Sequence, residues 1–127
     1  MNRLIPAAAL VGFLSVALGA FGAHALDGRL TAQGAEWWHT ATLYGLTHAG
    51  AALAAGLSGR GGKIAAGGWM IVAGAVIFAG TLYAMALGAP RWLGAVTPVG
   101  GISLLAGWVM IGLGGLSAAR TAQDVVP

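Results

Sequence analysis

Four long apolar runs organise the chain, over residues 4–26, 37–57, 64–88 and 92–119, and every charged side chain lies outside them. A helix crossing a bilayer needs about 20 apolar residues at a rise of ~1.5 Å each, and each run is long enough. Bilayers admit only helices or closed barrels, and runs of this length without strict alternation specify helices. Thr97-Pro98 reads as an N-cap followed by proline at the first helical position, which trims the fourth span to about 97–119 and leaves Trp92 to Val96 at the interface. Pro6 falls in the first turn of helix 1, where a missing N–H does no harm. The fold expected is all-α, one domain over residues 1–127, built as a bundle of four transmembrane helices.

The polar residues between the spans set an orientation. Both termini and the 58–63 loop share one side with Arg3, Arg60, Lys63 and Arg120, whereas Arg29 and Arg91 lie on the other beside Asp27 and Glu36. The excess of cations predicts cytoplasmic termini. Trp37, Trp38 and Trp92 then fall at the outer interface as an aromatic belt. The N-terminal Met-Asn-Arg and the apolar stretch ending at Ala23-His24-Ala25 imitate a cleavable signal. That stretch is longer than the usual ~7–15-residue signal core, so helix 1 is expected to be retained.

Composition supports the same class. Hydrophobic residues make up 58% of the 127 and charged residues 7%, against roughly 25% in a soluble domain. A water-soluble monomer is excluded. The net charge of +3 comes from scattered Lys and Arg that form no basic patch, so no nucleic-acid partner is expected. Without cysteine, disulfides and thiolate chemistry are excluded. The 23 glycines fall into helical stripes: Gly12, Ser15, Gly19 and Gly22 on helix 1, and Gly100, Ser103, Gly107 and Gly114 on helix 4. Helix 2 has Gly45, Ala49, Ala52 and Gly56, and helix 3 has Gly67, Gly74 and Thr81. Such faces let helix backbones approach closely, replacing the hydrophobic drive that lipid cannot supply.

Polar side chains inside spans are candidate functional groups. Thr40, Tyr44 and His48 recur at i, i+4 and i+8 on one stripe of helix 2, with His48 near mid-bilayer. Ser15 and Ser103 lie at similar depth, so a neutral His48 is expected to bond them. The result is either a structural network or a proton relay. His24 and His39 lie near the outer ends of helices 1 and 2. Two imidazoles without an intramembrane carboxylate make a poor metal site, even with Asp27 or Glu36 supplying a loop ligand. No nucleophile–base–acid set, phosphate loop or HExxH motif can be assembled. No cofactor, metal or small-molecule substrate is expected.

Two segments, Ala17-Leu-Gly-Ala-Phe-Gly-Ala-His-Ala-Leu26 and Thr97-Pro-Val-Gly-Gly-Ile-Ser-Leu-Leu-Ala-Gly-Trp108, together resemble the YgdD family of bacterial inner-membrane proteins. Phe78-Ala-Gly-Thr-Leu-Tyr-Ala-Met-Ala-Leu87 and the Thr40, Tyr44, His48 stripe are similar to it as well. His24, Tyr44, His48, Tyr83 and Thr97 match its polar positions, and His39 falls outside its pattern. The resemblance implies a multi-pass inner-membrane protein and brings no established activity. The expected role is non-enzymatic, through helix contacts with lipid, a partner or a second copy in a homo-oligomer. The alternative is a small oligomeric channel or carrier, proton-linked through Tyr44 and His48, which would line a water-accessible cavity. A membrane enzyme or metal protein would instead need an outer pocket holding His24 and Tyr83.

Overall fold

The computed structural model describes residues 2–126. Four helices form: α1 (Leu4–His24), α2 (Ala32–Leu57), α3 (Gly62–Ala86) and α4 (Thr97–Val125), with a 3-10 turn, Arg91–Ala95, leading into α4. The class is all-α, as expected. Leu4–His24, Gly62–Ala86 and Arg91–Val125 are each long and apolar enough to cross a membrane. The 26-residue α2 is as long, but Gln33, Glu36, His39 and its hydroxyl side chains make it more polar.

The start of α2 and the capping of α4 differ from expectation. The second helix begins at Ala32 rather than Trp37, because the Thr31 hydroxyl accepts the Gly34 N–H at 2.9 Å and caps it there. At α4 the expected cap is absent. Thr97 is already helical, and its hydroxyl turns sideways to Thr81 (2.7 Å) and back to the Leu93 carbonyl (3.2 Å). The far end of α4 also runs past residue 119, to Val125.

Packing follows the small-residue stripes. Helix α2 lies between α1 and α3, while α4 packs along α3. A Cβ built on Gly74 would stand 2.8 Å from the Gly100 carbonyl oxygen, and one on Gly67 would stand 2.7 Å from that of Gly107. At these points α3 and α4 meet backbone to backbone. Between α1 and α2 the glycines receive side chains instead: Thr42 fills the space over Gly19, the Trp38 indole that over Gly22, and Ser15 that over Gly45. Trp38 is therefore no belt residue. It is 5% exposed, and its indole N–H donates to the Leu18 carbonyl of α1 at 2.8 Å. Trp92, in contrast, stands exposed.

One core cluster sets alanines around Leu4, Ile71 and Leu104, and a second gathers Trp38, Leu82, Tyr83 and Met85. Outside them, Leu10, Phe13 and Val16 of α1 and Ile102, Leu105, Val109 and Leu116 of α4 are exposed. A continuous apolar surface of this kind suits lipid and would drive association in water.

Replacing Gly19 or Gly107 by Leu should lower stability by about 1–3 kcal/mol, the usual cost of overpacking, with Gly107→Leu the worse because rigid backbone faces it. Gly88, near a helix end, is not the neutral position its location suggests. Its φ of 101° lies in the left-handed region, which strains any side chain. Gly112, with no neighbour within 4 Å, is the proper comparison. Thermal unfolding in detergent should rank Gly107→Leu below Gly19→Leu, with Gly112→Leu close to the parent. Equal midpoints for all would show that the seams carry no load.

Candidate functional site

His48 is 8% exposed and has both ring nitrogens engaged. The Trp108 indole N–H donates to Nε2 at 3.1 Å, and Nδ1 lies 2.8 Å from the Tyr44 carbonyl one turn back. An indole can only donate and a carbonyl can only accept. Nε2 therefore carries the lone pair and Nδ1 the proton, and the imidazole is uncharged. Tyr44 stacks on His48 with centroids 5.6 Å apart and on Phe78 at 4.4 Å, and Trp108 meets His48 edge-on at 6.0 Å. The four rings join α2, α3 and α4.

The serines expected beside His48 do other work. Ser15 donates back to Val11 of its own helix at 2.8 Å and packs over Gly45, on the α1 side of α2. Ser103 donates to the Met70 carbonyl of α3 at 2.8 Å. Both sit at suitable depth, but their helix faces point to the glycine seams. Thr40 shares the stripe with Tyr44 and His48 and takes no part in these bonds.

Tyr83 and Thr97 belong to two further cross-links. Thr42 donates to the Trp38 carbonyl at 3.1 Å, so its oxygen receives the Tyr83 hydroxyl at 2.7 Å. The Tyr83 ring packs edge-on to Trp38 at 4.6 Å. Thr81 and Thr97 share a hydrogen bond of 2.7 Å between α3 and α4. His24 is exposed at the end of α1. A hollow of about 260 Å³ near the α1–α2 loop is lined by Asp27, His39, Trp38 and Thr42, and neither His24 nor Tyr83 reaches it. Among the described residues, no three His, Asp or Glu side chains converge as metal ligands.

Between α2 and α4 runs a groove of about 570 Å³, floored by Phe78 and Leu104 and walled by Tyr44, His48, Leu105 and Trp108. Its surface is almost wholly apolar. The residues that sequence alone did not single out here are Trp108 and Phe78. Trp108 was the more accessible of the two: eleven residues after Thr97 it lies ~16 Å along α4, at the depth of His48. An indole at that depth needs an acceptor.

A family described as "Protein of unknown function (DUF423)" matches residues 18–101. The chain belongs to this family. The UPF0382 membrane protein YwdK of Bacillus subtilis is 40% identical over 116 residues, covering 87% of this chain and 94% of the relative. A UPF0382 membrane protein of Staphylococcus saprophyticus is 38% identical over 116 residues, covering 90% and 97%. The UPF0382 inner membrane protein YgdD of Escherichia coli is 38% identical over 116 residues, covering 89% and 88%. No solved structure matches the chain. The matched segment contains His24, His48, Tyr83 and Thr97.

The ring geometry generates a spectroscopic expectation. In lipid at pH 7, the His48 ¹⁵N shifts should report a protonated Nδ1 and an unprotonated Nε2. Trp108→Phe, which removes the indole donor, should shift the Nε2 resonance while Nδ1 stays protonated against the Tyr44 carbonyl. His48→Leu should destabilise by only about 0.6 kcal/mol, the average for interhelical hydrogen bonds in membranes, and His48→Gln by less. A doubly protonated ring at pH 7 would contradict the assignment.

Proposed function

We propose that the chain is a four-span protein of the bacterial inner membrane with both termini in the cytoplasm. It is not an enzyme, and it acts by contact, holding an apolar molecule against the groove between α2 and α4. Four features support the topology. The 26 residues of α2 span ~39 Å, more than the ~30 Å hydrocarbon core. Its polar groups Thr42 and His48 are satisfied by Tyr83 and Trp108 on neighbouring helices, as a lipid environment demands. It is packed between α1 and α3, which are both apolar enough to cross. The cations Arg3, Arg60, Lys63 and Arg120 favour the cytoplasmic side for the termini.

The observation that carries contact over chemistry is the engagement of both His48 nitrogens. The imidazole that a relay would use is held uncharged by an indole that cannot accept its proton. A proton-linked carrier has one feature in its favour: Tyr44 is 38% exposed toward the groove.

Two measurements test the proposal. An alkaline-phosphatase domain fused at the C-terminus should be inactive, and full activity would reverse the topology. Protein reconstituted in vesicles with an internal pH dye should pass no more protons under an imposed potential than protein-free vesicles. A flux abolished by His48→Gln would overturn contact as the mode of action and establish the carrier.

A further inference from the structure

We infer that the groove is a site for one anionic phospholipid, with its phosphate at Arg91 and an acyl chain running down to the His48–Trp108 pair. The inference rests on the contact proposal above and specifies what the groove holds. A second hollow of about 340 Å³ adjoins the first and shares Phe78 with it, and Trp37, Met85, Arg91 and Thr97 line its open end. The two hollows follow single helical faces. On α2 these are Trp37, Tyr44 and His48, on α3 Phe78, Leu82 and Met85, and on α4 Thr97, Gly101, Leu104 and Trp108.

The length suits one leaflet. Trp37 to His48 and Thr97 to Trp108 are each eleven residues apart, or ~16 Å, about half of a ~30 Å hydrocarbon core. The groove thus begins at the interfacial end of α4 and ends near the bilayer centre, where the Trp108–His48 bond bridges its walls. An acyl chain has this extent and polarity, whereas a soluble metabolite has neither.

Charge selects the head group. Arg91 stands at the open end, donates to the Gln33 side chain at 3.0 Å and lies over the Trp37 ring at 5.9 Å. Both partners are neutral, so they orient the guanidinium without cancelling its charge. Its remaining N–H donors form a fork suited to phosphate oxygens. Gly101 marks the depth of the bed: a Cβ there would meet only the Phe78 ring at 3.8 Å, so a larger side chain would enter the groove rather than the α3–α4 contact.

The test is native mass spectrometry of the delipidated full chain in detergent, titrated with phosphatidylglycerol and phosphatidylcholine of identical acyl chains. Phosphatidylglycerol should bind about five-fold more tightly, the effect of one basic residue on an anionic lipid. Arg91→Gln should remove that preference, weakening phosphatidylglycerol more than phosphatidylcholine, whose choline already offsets its phosphate. Gly101→Phe, or Leu105→Trp should the first fold poorly, should weaken both lipids together while the melting temperature is kept. Equal binding of the two lipids by the parent, or a preference that survives Arg91→Gln, overturns the head-group assignment and leaves the groove standing. Unchanged binding in a folded Gly101→Phe or Leu105→Trp protein overturns the groove as well. A dimer that the same blocking variants convert to monomer would make the occupant a second copy and not a lipid.

Discussion

The backbone contact between α3 and α4 at Gly67–Gly107 and Gly74–Gly100 constrains everything built on those helices. With no Cβ between them, the two helices sit close enough for short side chains to bridge. Thr81 reaches Thr97, and Ser103 reaches the Met70 carbonyl. The same contact fixes how α4 is rotated, so that Trp108 faces α2 and meets His48. A side chain at any of the four glycines would push α4 outward and break these bonds together. In lipid, where apolar burial supplies no drive between helices, such close packing and polar cross-links are the available sources of stability.

The α1–α2 seam uses glycine differently. Gly19, Gly22 and Gly45 act as sockets for Thr42, Trp38 and Ser15, so the helices interlock through side chains and not through bare backbone. Trp38 then carries an indole N–H to the Leu18 carbonyl and gives Tyr83 a ring to pack on. Polar groups on α2 thereby face inward on both sides, toward α1 through Trp38 and toward α3 through Thr42. This explains how the most polar helix of the bundle can be its middle one. It also leaves α2 and α4 apart, because both pack chiefly on α3 and meet each other at the His48–Trp108 pair, and the groove is the space between them.

Much of this was legible in the sequence. Apolar run length gives the helices, and the spacing of Gly12, Gly19, Gly100 and Gly107 gives the seams, because both depend on local pattern alone. Helix ends were less legible. Thr31 competes with Trp37 as a starting point, and only the conformation of Thr31 shows that it caps. The Thr97-Pro98 pair has the pattern of a cap, but the approach of α3 offers the Thr97 hydroxyl a partner in Thr81. The partners of His48 are not legible in the sequence for a related reason. Depth along the bilayer can be counted from residue number, but the rotation of one helix against another cannot. Ser15 and Ser103 have the right depth and the wrong face, while Trp108 has both.

The mutual approach of α3 and α4 is best tested in the lipid-embedded protein, by magic-angle-spinning NMR with labelled glycine and threonine. A direct through-space cross-peak between the Gly74 Cα and the Gly100 carbonyl carbon is predicted, with a second between Gly67 and Gly107. Gly112, which has no neighbour within 4 Å, should give no interhelical peak. Absence of both predicted peaks in a sample whose Thr81 and Thr97 resonances are resolved would contradict the account, because the helices would then be held at side-chain distance and the glycine pairs would not set the fold.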